Sequence, residues 1–570
     1  MRSRLLLLAV GALLPALAPA QTTCASAVRP FTDTLRSEAT RAQSVRRTVV
    51  RRLAYRVDTA AAGCINAGTV IDTIIVHDTT IVHDTVTITV DTSGTVVTPP
   101  TTTPLPGATG FVQGAELPRT VPTYPASLPT ASCTVTVTSN LQAALNAAVG
   151  GDVLCLTGTF QGTFTLPARS DTNWVVVRGT VAATNGVRVA AAAGMARIET
   201  VTGGAGSALI AGANARRWYL HSLDIGLATS VTAVVGSIVD FSGADLWLDR
   251  VYVHPGTTQQ VQRCVSLQSA RSGVIHSQLR DCHGRGFDSQ AIASWNGAGP
   301  FLIDDNTLEG AGENVMFGGN DPATANLVPS DITFTHNWVT KPAAWRTVWT
   351  AKNLLELKNA VRVRVEGNVF DGSWPDAQTG TALMYFSINQ GGTCRWCRVT
   401  DVVTRANHFK NVGMGWNISG TQDYAVDTTA RRLAYVANVI DSVKYGGTDG
   451  ILVQLLGKGR DVVIDSLVAN AGGGNIKQTW GIEPTNPWTN VTYRNVVASL
   501  GRYGIFCSTQ GAGENAIKCL AGTVVFGPVT LIGANPGGYP TSTFIASEGS
   551  SALATAIRAR VAAAVAGVVQ

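Results

Sequence analysis

Residues 301–310 read FLIDDNTLEG, 331–340 DITFTHNWVT, 361–370 VRVRVEGNVF and 402–411 VVTRANHFKN, four versions of one pattern. In each, apolar residues alternate ahead of an asparagine and another apolar residue follows two positions after it, at Asn306, Asn337, Asn368 and Asn407. Working outward, weaker copies mark Ser222, Arg250 and Gln278 on one side and Asn438, Ser466 and Asn495 on the other. The intervals along the series are 28, 28, 28, 31, 31, 39, 31, 28 and 29 residues, and self-similarity at such a period is how a solenoid shows itself in sequence. The units are short, alternating and rich in β-branched residues, which predicts an all-β chain wound as a right-handed parallel β-helix with one coil per repeat. Equivalent turn residues then lie above one another. An asparagine ladder can satisfy turn backbone groups there, while the flanking Val, Ile and Leu fill a narrow core.

Composition agrees with that reading, because 59 of 570 residues are glycine and only 14% are charged. Arg2 and Arg4, the apolar run Leu5 to Leu14 and Ala18-Pro19-Ala20 match a secretory signal over 1–20, so the mature chain is expected outside the cell or in the periplasm. No later stretch is apolar enough to predict a transmembrane segment. The formal charge of +6 is local: residues 1–20 hold +2 and residues 22–68 hold eight arginines against Asp33, Glu38 and Asp58. The remainder is near −1, which argues against a nucleic-acid partner.

The division expected is an Arg-rich amphipathic helical arm over 21–68, a repetitive β-rich stalk and Thr/Pro linker over 69–107, and a lead-in over 108–138. The β-helix follows over 139–535 and a C-terminal tail with a capping helix over 536–570. In the stalk Asp72, Asp78 and Asp84 recur every six residues, with His77 and His83 on the opposite parity of a strand. Ser139 is the expected N-cap of a short helix whose Leu141 and Leu145 share a face. Ten cysteines in an exported chain read as disulfides between sequence neighbours: Cys24 with Cys64, Cys133 with Cys155, Cys264 with Cys282, Cys394 with Cys397 and Cys507 with Cys519.

The stretch SNLQAALNAAVGGDVLCLTGTFQGTFTLP (139–167) resembles the opening of pectate-lyase-like β-helices, in which an amphipathic helix plugs the first coil. Together with AIASWNGAGPFLIDDNTLEGAGENVMFGGNDP (291–322) and NLLELKNAVRVRVEGNVFDGSW (353–374), it resembles secreted bacterial β-helix proteins of the pectate-lyase-like superfamily, mostly of unassigned activity. The resemblance implies a fold and a polysaccharide partner rather than one reaction, since this fold hosts lyases, hydrolases, esterases and adhesins.

A lyase needs a base for the proton next to a uronate carboxylate and a cation to neutralise that carboxylate. Glu356 and Lys358 are two apart on a strand and project from one face. The element LELKN is similar to the Glu and Lys pattern of β-helix alginate and chondroitin lyases, which implies Lys358 as base. Residues 341–364 hold Lys341, Arg346, Lys352, Lys358, Arg362 and Arg364 against Glu356 alone, a strip suited to an acidic polysaccharide. Where those lyases place an arginine one coil on, this chain has FSINQGG with Asn389 and Gln390, leaving Arg395 or Arg398 to substitute.

Glu313, Asn320 and Asp321 offer oxygen ligands for a calcium ion. Glycoside hydrolysis would draw on Asp304, Asp305, Glu309, Glu313 and Asp321, with His283-Gly284 nearby. Trp345, Trp349, Trp374 and Trp396 sit in loops of consecutive coils and offer faces to sugar rings. A non-catalytic surface or adhesive protein, gripping a cell-surface glycan through the same loops, is the competing reading.

Overall fold

The computed structural model describes residues 70–77, 80–87, 89–90, 96–97, 110–124, 127–128, 131–180, 188–189, 194–421, 426–472 and 476–569. The expected signal, the helical arm and the Cys24–Cys64 pair lie outside these residues. The chain divides into two units, 1–105 and 106–570. In the first, Val70–His77 pairs antiparallel with Thr80–Thr87, His77 opposite Thr80 and His83 opposite Ile74. The stalk therefore reverses between its two histidines, and the single strand on which their parity was counted does not exist.

The second unit is a parallel β-solenoid built of a 13-stranded and a 25-stranded sheet. A coil is illustrated by Ala244–Asp249, Tyr252–His254 and Val261–Leu267. The first two strands of each coil stack into the larger sheet and the third into the smaller one. Between the first two the chain bends at a residue with positive φ, and these residues stack from coil to coil: Ser222, Arg250, His276, Asp305, His336, Gly367, Ala406, Ala437, Ser466 and Asn495.

The asparagine ladder occupies the next position. Asn306 Nδ2 donates to Asn337 Oδ1 at 2.9 Å, Asn337 to Asn368 at 3.1 Å, Asn368 to Asn407 at 2.9 Å and Asn407 to Asn438 at 3.1 Å. Each Oδ1 also accepts the backbone N–H of the asparagine below, and each Nδ2 donates to a carbonyl of an earlier coil such as Ile303 O or Phe334 O. Beyond these five rungs the expected register shifts by one. Ser222, Arg250, Ser466 and Asn495 are the bend residues themselves, and Gln278 lies one past the rung, where Ser277 N donates to Asn306 Oδ1. The bend tolerates Asn and Ser for its left-handed backbone, so it carries the same polar signature as the rung.

A second column, six positions ahead of the asparagines, alternates charge: Asp331 pairs with Arg362 at 2.7 Å and Asp401 with Arg432 at 2.5 Å. Like charges stacked one strand spacing apart would repel, and alternation removes that cost. Inside, aromatic residues stack, Phe370 on Phe409 along the axis at 4.7 Å and Trp480 on Tyr493 of the other sheet at 4.2 Å. Four disulfides form as expected, Cys133–Cys155, Cys264–Cys282, Cys394–Cys397 and Cys507–Cys519.

The short helix expected before the first coil is Leu141–Ala147, with Leu141 and Leu145 buried. Its N-cap is Asn140 in the left-handed region rather than Ser139, and no side chain caps it. The C-terminal helix, Ala552–Ala564, is capped by Ser551, whose hydroxyl accepts from Ala554 N. It does not close the end of the solenoid. Ala554, Ile557 and Val561 instead pack on Val439, Val468 and Val497, on the outside of the larger sheet. Among the described residues no helix is long and apolar enough to cross a membrane.

Candidate functional site

The outward side of the smaller sheet carries a cluster of buried carboxylates met by lysines. The strands Val315–Phe317, Leu355–Leu357 and Thr381–Ser387 are neighbours in it. Val315, Phe317, Leu355, Leu357, Leu383 and Tyr385 face the core, so Met316, Glu356 and Met384 form an outward row in register. One row earlier stand Gln290, Glu313 and Asn353. Gln290 Nε2 donates to Glu313 Oε2 at 2.8 Å, and Asn353 Nδ2 donates to Glu356 Oε1.

Both carboxylates are covered, Glu313 and Glu356 being 0% exposed. Lysines meet them. Lys358 Nζ lies 3.0 Å from Glu356 Oε2, and Lys352 Nζ lies 3.6 Å from Glu313 Oε1 and 2.5 Å from Asp288. Lys341 is buried behind the pair and donates to Gly310 O, Gly312 O, Asn314 Oδ1 and Asn353 O. It therefore fixes the backbone on either side of Glu313 and the residue that holds Glu356.

Burial, with the Glu356 and Asp288 charges, pushes the Glu313 carboxyl up to about 7. Burial pulls Lys341 down to about 7 against the pull of Glu313 and Glu356. Burial also works to lower Lys358, but Glu356 and Glu313 outweigh it and raise the ammonium above the ordinary lysine value. Lys352 is raised in the same way by Glu313 and Asp288. Lys358 and Lys352 are thus cations secured from behind.

Lys358 opens onto a groove of about 420 Å³ lined also by Gln378, Thr379, Met384, Phe386, Ile388 and Gln390. Its Nζ stands 5.7 Å from the centre of the Phe386 ring. Gly318, at φ +120°, makes room for it, since a Cβ there would lie 2.5 Å from Lys358 Cβ. The long interval between Asn368 and Asn407 resolves into two loops, 372–380 and 388–398, at the two ends of the strand Thr381–Ser387.

The other expected residues scatter. Trp345 and Trp374 are buried together with Ala311 and Ala351, with Trp349 packed against them, so they anchor loops and present no free face to a sugar. His283 is buried against Trp349, ring on ring at 4.0 Å, and burial lowers its pKa, making it a neutral packing residue. Trp396 is half-buried. Asn389 is buried and its Oδ1 accepts Cys394 N at 2.7 Å, shaping the disulfide loop rather than facing the groove. Arg395 pairs with Asp427 at 3.1 Å at the surface.

The calcium trio is split, because Glu313 precedes and Asn320-Asp321 follow the strand Val315–Phe317. Asp321 Oδ2 is committed to Gly391 N, Thr393 N and the Thr393 hydroxyl. Lysines already face the carboxylates, so the donor set does not fit a hard cation. Nor do the hydrolase acids face one another: Asp304 holds His336, Asp305 pairs with Arg188 and Glu309 pairs with Arg280. Sequence reasoning did not single out Met384 and Phe386. The alternation in TALMYFS, aligned under LELK, carries that signal.

No family model matches the sequence, and no curated protein matches it. Solved structures resemble the fold. An alginate lyase from Paenibacillus sp. str. FPU-7 aligns at 14% identity and TM-score 0.33, covering 70% of this chain and 99% of that one. A mannuronic acid specific family 6 polysaccharide lyase from human gut microbiota aligns at 12% identity and TM-score 0.39, covering 75% and 94%. The Streptococcus pneumoniae surface protein and adhesin PfbA aligns at 9% identity and TM-score 0.31, covering 71% and 94%. Function has to be argued from the site.

Proposed function

We propose that this protein grips an acidic polysaccharide in the groove above the strand Thr381–Ser387, with the Lys358 ammonium receiving a sugar carboxylate. The observation that carries the reading is that Lys358 is the charged residue of the groove lining and is backed by Glu356 and Glu313, which favour its charged form. Met384, Phe386 and Ile388 give an apolar floor for a sugar face, while Gln378, Thr379 and Gln390 offer hydrogen bonds to hydroxyls.

Cleavage by β-elimination is the second reading, favoured by the Glu356–Lys358 pair that the lyase resemblance implies. It requires Lys358 as a free amine. The carboxylates oppose that form, so binding is the better supported activity.

The test is calorimetric titration with polygalacturonate, alginate and a neutral glucan, with absorbance followed in the unsaturated-uronate band, for the wild type and Lys358→Ala. Saturable uptake of a uronate polymer, lost in the variant and without rising absorbance, is expected. Rising absorbance lost in the variant would establish the lyase instead. No affinity for any acidic glycan would remove the proposal.

A further inference from the structure

Next to the alternating Asp and Arg column two arginines stand without a carboxylate. Arg362 and Arg432 each have their own aspartate, Asp331 and Asp401. Arg398 and Arg431 make no ion pair among the described residues. Arg398 Nη1 reaches only the Trp396 carbonyl, at 3.4 Å, and Arg431 Nε is buried with no hydrogen-bond partner.

Both side chains lie on the outer surface of consecutive coils. Arg431 is in register with Thr400, two residues after Arg398, and the intervening Val399 and Ala430 are buried in the core. Neighbouring strands are about 4.8 Å apart and the two arginines are offset by two residues, so their backbones stand roughly 8 Å apart, a diagonal that two long guanidinium side chains bridge to share one oxyanion. Burial lowers both arginines, and adjacent guanidinia, Arg362 and Arg432 for the first and Arg432 and Arg460 for the second, add to the effect against the opposing pull of Asp401, which is itself paired with Arg432. A bound anion relieves that repulsion.

The pair adjoins the groove. Arg398 N donates to Asn359 Oδ1 at 3.2 Å, immediately after Lys358, and the groove residue Ile388 donates its N–H to Lys358 O at 3.3 Å.

We infer that Arg398 and Arg431 form a second oxyanion subsite, taking the carboxylate or sulfate of a sugar further along the polysaccharide that Lys358 anchors. This rests on the reading of the groove as an acidic-glycan site. It adds a length requirement: a chain must be long enough to leave the groove before it gains the second contact.

Two measurements on the full chain test it. In crystals soaked with sodium selenate, an anomalous peak is expected between the two guanidinia and is expected to vanish in R398Q/R431Q. Its absence in the wild type overturns the inference. In fluorescence anisotropy with labelled galacturonate oligomers, and with a sulfated oligosaccharide to separate the two oxyanion sources, R398Q/R431Q should weaken a hexamer about tenfold and leave a dimer unchanged, with an unaltered melting temperature. Lys358→Ala should weaken both lengths. A selenate peak with undiminished hexamer affinity in R398Q/R431Q would mark an adventitious ion only and overturn the subsite while the groove reading stands. Unchanged dimer binding in Lys358→Ala would overturn the groove reading, and with it the placement of this subsite on that chain's path.

Discussion

Parts of the outer faces of the two sheets are covered in different ways. The larger sheet turns apolar side chains outward and clothes them: Tyr219, Trp247 and Ile275 under Tyr124 and Leu128 of the lead-in, Val403 and Ala434 under Ala115 and Leu117, and Val439, Val468 and Val497 under the C-terminal helix. The smaller sheet turns Glu356 and Met384 outward, buries its carboxylates behind lysines and leaves a groove. Burying each large apolar side chain contributes roughly 2 kcal/mol, so the clothed face is a stability element. The open face keeps its buried charge beside a groove, whereas buried charge on the larger sheet, such as Arg364, Glu366 and Arg405, is paired within the sheet.

The largest effect that sharpens this contrast belongs to neither face but to the ladder that aligns both. Asn337→Ala removes four hydrogen bonds and strands the buried Asn306 amide, which should cost about 3 to 4 kcal/mol in urea denaturation. A loss below about 1 kcal/mol would mean that the rungs are decoration.

Next comes the charge on the open face. With Glu313 raised to about 7, the native state holds a proton between pH 4.5 and 7 that the unfolded chain has released. The Glu313 contribution to stability therefore falls as pH rises through that window and is constant above 7, by about 3 kcal/mol in all. Glu313→Gln should erase this slope, and an unchanged pH profile in the variant would show that Glu313 is ionised throughout.

On the clothed face, Ile557→Ala should cost about 2 kcal/mol and speed amide exchange in the strands carrying Val439, Val468 and Val497, without altering glycan affinity. The smallest effect expected is that of a chelator. Because lysine ammonium groups, not a metal ion, face Glu313 and Glu356, EDTA should leave both melting temperature and glycan binding unchanged.

The coil period was legible in the sequence because asparagine at a ladder rung is demanded by geometry, and Asn306 to Asn438 follow it without a break. Where the rung is Leu or Val, as at Leu467 and Val496, the signal moved one residue to the left-handed bend, and the register was misread by that amount. The alternating column was open to reading: Asp331, Arg362, Asp401 and Arg432 each stand six before a rung.

Lys358 beside Glu356 was also legible from strand parity. The burial of Trp345, Trp374 and His283 was not, since an aromatic residue in a loop carries the same letters whether it meets a sugar or another loop. The cover over the larger sheet was equally hidden. Tyr124 meets Tyr219 and Trp247 through contacts far apart in sequence that no periodicity announces.

The most direct test of the claim that function belongs to the open face is amide hydrogen exchange with and without a saturating galacturonate or mannuronate oligomer. Slowed exchange at residues 356–360 and 378–390 is predicted, with the lead-in over 117–124 and the C-terminal helix unchanged. Protection of the lead-in or the helix, with none along the groove, would contradict it.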